Sequence, residues 1–265
     1  MEDECMEKVK IAASVLSRVQ NIARQYIVAI AGMKSWKEGK VEGTGVILDL
    51  GGEVLLVTAE HVVSQIEQKG YQGLAFSNGD TKPYTKVLVP FMRDRLIDIS
   101  YAKITRPKQP DSDRLACPEN LIATSSREGE KDLLFIYGFP GKDSEFWTLL
   151  GGIRSKTTTY AAYANDSNWP HFDRAVHIAM CYSPKGCVGI DGKSEDLQTP
   201  DGLSGSALWN IPRNEQMGTW MPEYARIVGI VQRWDQVGRC LIATRIEQIL
   251  PFLRGETARV VNVNG

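Results

Sequence analysis

An all-β fold, an antiparallel barrel or sandwich with a helix added at each end, is predicted by three features of the sequence. Eleven short runs rich in β-branched and aromatic residues follow one another between residues 26 and 246, the composition that suits pleated, half-buried strands. Clusters of turn formers such as "DLGGE", "SNGD", "GFPGKD" and "DGKSED" separate them. Apolar spacing of helical period is confined to the two ends of the chain.

At the amino-terminal end, Val9, Ala12, Val15, Leu16, Val19, Ile22 and Ala23 recur at three- and four-residue steps, the stripe of an amphipathic helix. That stripe can pack on the body of the protein or dock a regulatory protein partner. The strand runs are "YIVAIAG", "GTGVILDL", "EVLLVTAE", "KVLVPF", "DISYAKI", "DLLFIYGF", "TLLGGIRS", "AVHIAMCYS", "GSALWNI", "ARIVGIVQRW" and "CLIATRI". So many short strands at close spacing favour a closed or sandwiched antiparallel architecture. "IEQILPFL", residues 246–253, reads as a short closing helix. The turn-rich stretch "PKQPDSDRLACPEN" marks a boundary near residue 120 between two halves of one β unit. The expected organisation is therefore a helix over 1–25, β units over 26–120 and 121–255, and a tail over 256–265.

The 265 residues are 43% hydrophobic, enough for a substantial core, and Lys+Arg 31 against Asp+Glu 32 leaves a formal charge of −1. That balance argues against a nucleic-acid partner or a charged membrane surface. The longest apolar runs fall far short of the roughly 20 residues a membrane helix needs, and the acidic start "MEDECMEKVK" is unlike a secretory leader. A cytoplasmic location is expected. Cys5, Cys117, Cys181, Cys187 and Cys240 are odd in number and scattered, which fits reduced thiols. Cys181 and Cys187 could close a small loop, but no second pair with metal-ligand spacing accompanies them, so neither a metal nor a cofactor is expected.

Three stretches carry chemistry. His61 follows a strand in "LLVTAEHVV", where a sheet edge can hold an imidazole. Asp98 lies among strand formers in "RLIDISYAKI", where a carboxylate is costly to bury without hydrogen-bond donors. Ser204 sits in "DGLSGSAL", where Gly202 and Gly205 permit a tight turn that could aim two amide N–H groups at a developing oxyanion. Each residue alone has a structural reading: a loop serine, a hydrogen-bonded histidine, an edge charge. Their order matters, because His, then Asp, then Ser belongs to the chymotrypsin-type double barrel among the convergent triads. His171 and His177, and the rings of Trp169, Trp209 and Trp234, read as structural or wall residues.

With these stretches in place, the sequence resembles the trypsin-like serine proteases, more closely the compact HtrA-type bacterial branch than the secreted digestive enzymes. The matching segments are "GTGVIL", "LLVTAEHVV", "DISYAKI", "YGFPG", "GLSGSALWN" and "VGIVQRW" leading to "CLIATRI", in family order over residues 26–253. The resemblance implies two six-stranded antiparallel β-barrels with the site in the cleft between them. It assigns His61, Asp98 and Ser204 to a triad and the N–H groups of Gly202 and Ser204 to the oxyanion hole. It also implies a specificity pocket with Gln198 at its base, Gln232, Arg233 and Trp234 along one wall, and Leu241 making it shallow from the other.

One departure stands out: Leu203 occupies the place where digestive members carry an aspartate that pairs with a new amino terminus, so activation by trimming is not expected. The functional expectation is an intracellular serine endopeptidase acting on protein or peptide substrates, regulated by a partner. No accessory domain is expected after "IEQILPFL". A catalytically idle protease fold used for binding, and an esterase or other acyl hydrolase on the same triad, are the alternatives.

Overall fold

The computed structural model describes the chain except residues 1, 36–37, 72, 78–79, 84, 88, 106–115, 126–127, 142–143, 148–151, 156, 168, 186, 189–193, 198 and 257–265. Helix α1 (Glu2–Ala23) leads into a mostly antiparallel sheet of β1 (Ile27–Met33), β2 (Gly39–Leu50), β3 (Glu53–Ala59), β4 (Gly73–Ser77), β5 (Thr85–Val87), β6 (Met92–Asp94) and β7 (Ile99–Lys103), with α2 (Glu60–Gln68) inserted after β3. Its strands run in the order β5-β4-β1-β2-β3-β7-β6, and Cys117–Pro118 adds a short parallel contact to β2. A second sheet holds β8 (Leu133–Gly138), β9 (Thr158–Ala162), β10 (Ala164–Asn165), β11 (His177–Cys181), β12 (Ala207–Ile211), β13 (Arg226–Asp235) and β14 (Cys240–Arg245), and α3 (Ile246–Leu253) follows. Its order is β9-β8-β12-β13-β14-β11-β10. Only Tyr163 separates β9 from β10, so this curled sheet ends beside the segment where it began.

The continuous apolar runs follow from where the strands lie. In β1, Val28 and Ile30 enter a core with Ile47, Leu56, Val62 and Ile66, while Ile27, Ala29 and Ala31 enter a different core. In β8, Leu134 and Ile136 join Met180, Tyr182, Leu208 and Val231, while Leu133, Phe135 and Tyr137 face the other way into that shared core. Successive side chains of a strand point to opposite faces. Strands buried on both faces therefore read as unbroken hydrophobic runs instead of alternating ones. Each sheet has a core of its own, and a third, shared core includes Val15, Val19 and Ala23 of α1 and Ile246, Ile249 and Leu253 of α3. The later half of the α1 stripe is thus committed to the body of the protein.

The run "KVLVPF" gives strand only to Val87, and Val89 and Pro90 stand outside any strand. Proline cannot donate to a ladder. "TLLGGIRS" contributes Gly152–Ser155, which pairs with Ser144–Trp147 and Asp80–Pro83 in a small separate sheet.

Candidate active site

The sheet register brings His61 and Asp98 together. Ala59, the last residue of β3, pairs with Ile99, the first of β7, so the start of α2 and the turn before β7 emerge side by side. The Glu60 N–H donates to the Asp98 carbonyl at 3.0 Å. The Asp98 carboxylate accepts the His61 backbone N–H through Oδ1 at 2.9 Å and lies 2.8 Å from His61 Nδ1 through Oδ2. An ionised carboxylate only accepts, so with a neutral imidazole this contact calls for the proton on Nδ1 and makes Nε2 the acceptor nitrogen. The two side chains are 33% and 15% exposed. Asp98 adopts a left-handed backbone, φ 52°, a conformation aspartate visits more readily than most residues.

Ser204 arrives from the second sheet. Pairing of Ala207 with Ile230 starts the β12–β13 ladder, and the turn ahead of it is stitched to β13 by Gly205 N–H to the Val231 carbonyl (2.7 Å) and Val231 N–H to the Ser206 carbonyl (2.9 Å). Gly205 has φ 89°, and a Cβ there would lie 1.9 Å from the Thr44 carbonyl oxygen. Only glycine fits. Gly202, at φ 97°, is equally constrained, with Gly141 N and Phe139 O at 2.4 and 2.6 Å from a built Cβ.

Thr44 locks this turn to the first sheet. Its N–H donates to the Ser204 carbonyl at 2.8 Å and its hydroxyl to the Gly202 carbonyl at 2.8 Å, while Phe139 N–H donates back to the hydroxyl at 2.9 Å. Thr58 donates to the Thr44 carbonyl at 2.7 Å. Within the turn, the N–H groups of Leu203, Gly205 and Ser206 all find carbonyl partners, whereas among the described residues those of Gly202 and Ser204 donate to none. Two unspent donors in one turn, one of them on the serine itself, are what an oxyanion site requires.

The Ser204 hydroxyl donates to the Gln232 carbonyl at 2.8 Å, and among the described residues no hydrogen bond joins it to His61. Both residues line one open cleft of about 670 Å³, with Glu42, Gly141, Arg233 and Trp234 among its other borders.

The residues expected at the specificity pocket are divided. Gln198 lies outside the described residues. Arg233 and Trp234 border the cleft. The Arg233 guanidinium lies over the Trp169 ring at 4.2 Å. Gln232 contributes its main chain to the cleft, because its side chain is buried and its amide donates to the Ile97 carbonyl at 2.7 Å and to Thr244 Oγ1. Leu241, expected at the opposite wall, is buried in the core of the second sheet with Tyr182 and Met180, opposite Trp234 in the ladder. The β13–β14 register shifts between Val231 and Arg233, at Gln232. Leu203 is also buried in that core, so an apolar side chain holds the turn where a carboxylate was noted as missing.

His177 is buried between Trp169 and Phe172, with Nδ1 accepting the Asp173 N–H at 3.1 Å. Burial pushes its pKa down, against the opposing pull of Asp173. His171 packs its ring edge-on to Trp169. Neither borders the cleft. Thr44 and Thr244 were not singled out in the sequence, and Gln232 was read only as a pocket wall, not as a bridge between the sheets. The available signal was a polar residue inside an apolar strand run, as in "GTGVIL" and "VGIVQRW", since such a group is buried only with a partner. Among the described residues no cluster of His, Cys, Asp or Glu could hold a metal ion, and no helix is long and apolar enough to cross a membrane.

No protein-family model matches the chain, and no curated protein matches it. Solved structures do. Rv3671c from M. tuberculosis H37Rv, a serine-to-alanine mutant in an inactive form, aligns with a TM-score of 0.50 and 16% identity over 91% of this chain and 92% of that one. The scabies mite inactivated protease paralogue S-I1 aligns with a TM-score of 0.55 and 11% identity over 89% of this chain and 95% of that one. At such identities the likeness is one of backbone architecture. The chain has a trypsin-like fold.

Proposed function

We propose that the protein is a serine endopeptidase that cleaves protein or peptide substrates through an acyl-enzyme, with His61, Asp98 and Ser204 as its triad. The observation that carries this reading is the Asp98–His61 hydrogen bond, 2.8 Å long, at the edge of a cleft that also holds Ser204 and two unspent N–H donors. His61 Nε2 takes the Ser204 proton as the oxygen attacks the scissile carbonyl, then returns it to the leaving amine. Asp98 keeps the ring in the Nδ1–H tautomer and stabilises the imidazolium. The N–H groups of Gly202 and Ser204 receive the developing negative oxygen, each worth on the order of 3 kcal/mol of barrier.

For attack, the Ser204 hydroxyl exchanges the Gln232 carbonyl, its acceptor at 2.8 Å, for His61 across the cleft that both residues line. Substrate or a regulatory partner would supply that change. The finer architecture belongs to the same proposal: two six-stranded barrels over 26–120 and 121–255, of the compact HtrA-like kind, supported by the return of the second sheet at Tyr163. So does cytoplasmic residence, supported by free thiols at Cys117, Cys181, Cys187 and Cys240.

A second reading, an idle protease fold that binds a partner through its cleft, draws on the Ser204–Gln232 hydrogen bond. Incubation with a diverse peptide library and with small esters separates the readings. The proposal expects peptide cleavage that Ser204→Ala abolishes. Ester turnover without peptide cleavage indicates an acyl hydrolase, and no turnover of either supports the binding module.

A further inference from the structure

Outside the cleft, the outer face of the second sheet carries two cysteines at one ladder position. Cys181, the last residue of β11, is the register partner of Cys240, the first of β14. Backbone hydrogen bonding fixes which kind of antiparallel pair this is. Tyr182 N–H donates to the Arg239 carbonyl at 2.8 Å, whereas Cys181 N–H turns to the opposite side, to the Tyr163 carbonyl at 3.2 Å. Tyr182 and Arg239 are thus the hydrogen-bonded pair, and Cys181 and Cys240 the adjacent non-hydrogen-bonded one. In such pairs the Cα atoms stand about 4.5 Å apart and the side chains come closest, within the Cα range a disulfide spans. Both thiols are on the same face, because Cys240 clusters with Ala179 and Ile242 beneath Trp169 and Phe172, and Ala179 lies two residues from Cys181 on its own strand. Cys181 is exposed, Cys240 is fully buried, and both are free.

We propose that Cys181 and Cys240 form a reversible cross-strand disulfide, with a hydroperoxide as oxidant. The exposed Cys181 thiolate attacks one peroxide oxygen; an S–O bond forms, the O–O bond breaks, and one oxygen leaves as hydroxide and is protonated to water. The Cys240 sulfur then attacks the Cys181 sulfenic acid; the S–S bond forms, the S–O bond breaks, and the departing hydroxide takes up the Cys240 proton as the second water. Two thiols lose two electrons and one hydrogen peroxide becomes two waters. The Asp235 carboxylate, 3.9 Å from the Cys240 sulfur, is placed to accept that proton on the way. Cys240 faces Asp235 across the β13–β14 ladder, one residue from Trp234 and two from Arg233 at the cleft. The bond therefore ties β11 to the strand that supports the cleft wall, and it does not depend on the peptidase reading.

The test is peroxide titration of the full chain, blocking of remaining thiols, and mass mapping of digested peptides without reductant. The expected result is a linked peptide pair containing Cys181 and Cys240. It is retained in Cys187→Ser, lost in Cys181→Ser and reversed by dithiothreitol, with a rise of roughly 5–10 °C in unfolding midpoint on oxidation. A Cys181–Cys187 link, a Cys181 link between two chains, or Cys181 oxidised to sulfinic acid while Cys240 is still a thiol each overturns it. Cys181→Ser changes only an exposed side chain, so the result stands even if Cys240 variants fail to fold.

Discussion

His61 Nδ1 lies 2.8 Å from Asp98 Oδ2, and the other oxygen of the same carboxylate accepts the His61 main-chain N–H at 2.9 Å. One side chain thus fixes both the ring and the peptide that carries it. Asp98→Asn keeps the shape and tolerates the left-handed φ of 52°, but its amide can donate to Nδ1 and drive the ring proton to Nε2, where the base is needed. The expected outcome is a fall in kcat of about 10⁴-fold, the order found when such a carboxylate becomes an amide. Thermal unfolding should be little changed, and steady-state kinetics beside a melting curve check both halves.

The serine turn is set by close backbone approach. Gly205→Ala places a methyl 1.9 Å from the Thr44 carbonyl oxygen at φ 89°, so a loss of about 3 kcal/mol or more is expected. Gly51→Ala, also at positive φ but with nothing within 4 Å, should lose only about 1 kcal/mol. Urea denaturation of the two variants distinguishes contact from conformation; equal losses would contradict the account.

Several elements were legible because local chemistry and tertiary demand agree. Ile246–Leu253 is helical over the span expected from its apolar spacing. The strands Ile27–Met33 and Leu133–Gly138 fall within unbroken apolar runs that bury both faces. Other elements depend on partners far along the chain. Thr158–Ala162 is polar at its start and becomes a strand by pairing with β8. The α2 helix, away from the two ends where helical spacing was read, forms with Val62, Val63 and Ile66 packed into the first core. Leu241 and the Gln232 side chain are both buried, and the β13–β14 register shifts between Val231 and Arg233, which no local residue pattern announces.

Gln232 joins the two sheets. Its amide and the Thr244 hydroxyl, 2.8 Å away from the same acceptor, both hold the Ile97 carbonyl, next to Asp98. Gln232→Leu leaves Thr244 as the holder, with an expected loss of about 1–2 kcal/mol in stability. As a positioning residue it should lower kcat more than it raises KM, because the Ile97 carbonyl beside Asp98 loses one of its two holders while the cleft keeps its main chain. An unchanged kcat would assign the amide a purely structural role.

His177 predicts a pH dependence of stability. Burial holds its folded pKa below the ordinary value near 6.5, so the unfolded chain binds the proton more readily. Stability is therefore gained as pH rises through the window between the folded pKa and about 6.5, and lost as pH falls through it. Unfolding midpoints measured from about pH 7 down to about pH 5 should fall more steeply for the native chain than for His177→Asn. Parallel slopes would contradict this.

The central claim is that Ser204 becomes a nucleophile with His61 as its base. Incubation with a fluorophosphonate, followed by intact mass and peptide mapping, tests it most directly. The account predicts one phosphonyl adduct, on Ser204, lost in Ser204→Ala and strongly slowed in His61→Ala. An adduct on another residue, or none on a folded chain across pH and added peptide, would contradict it.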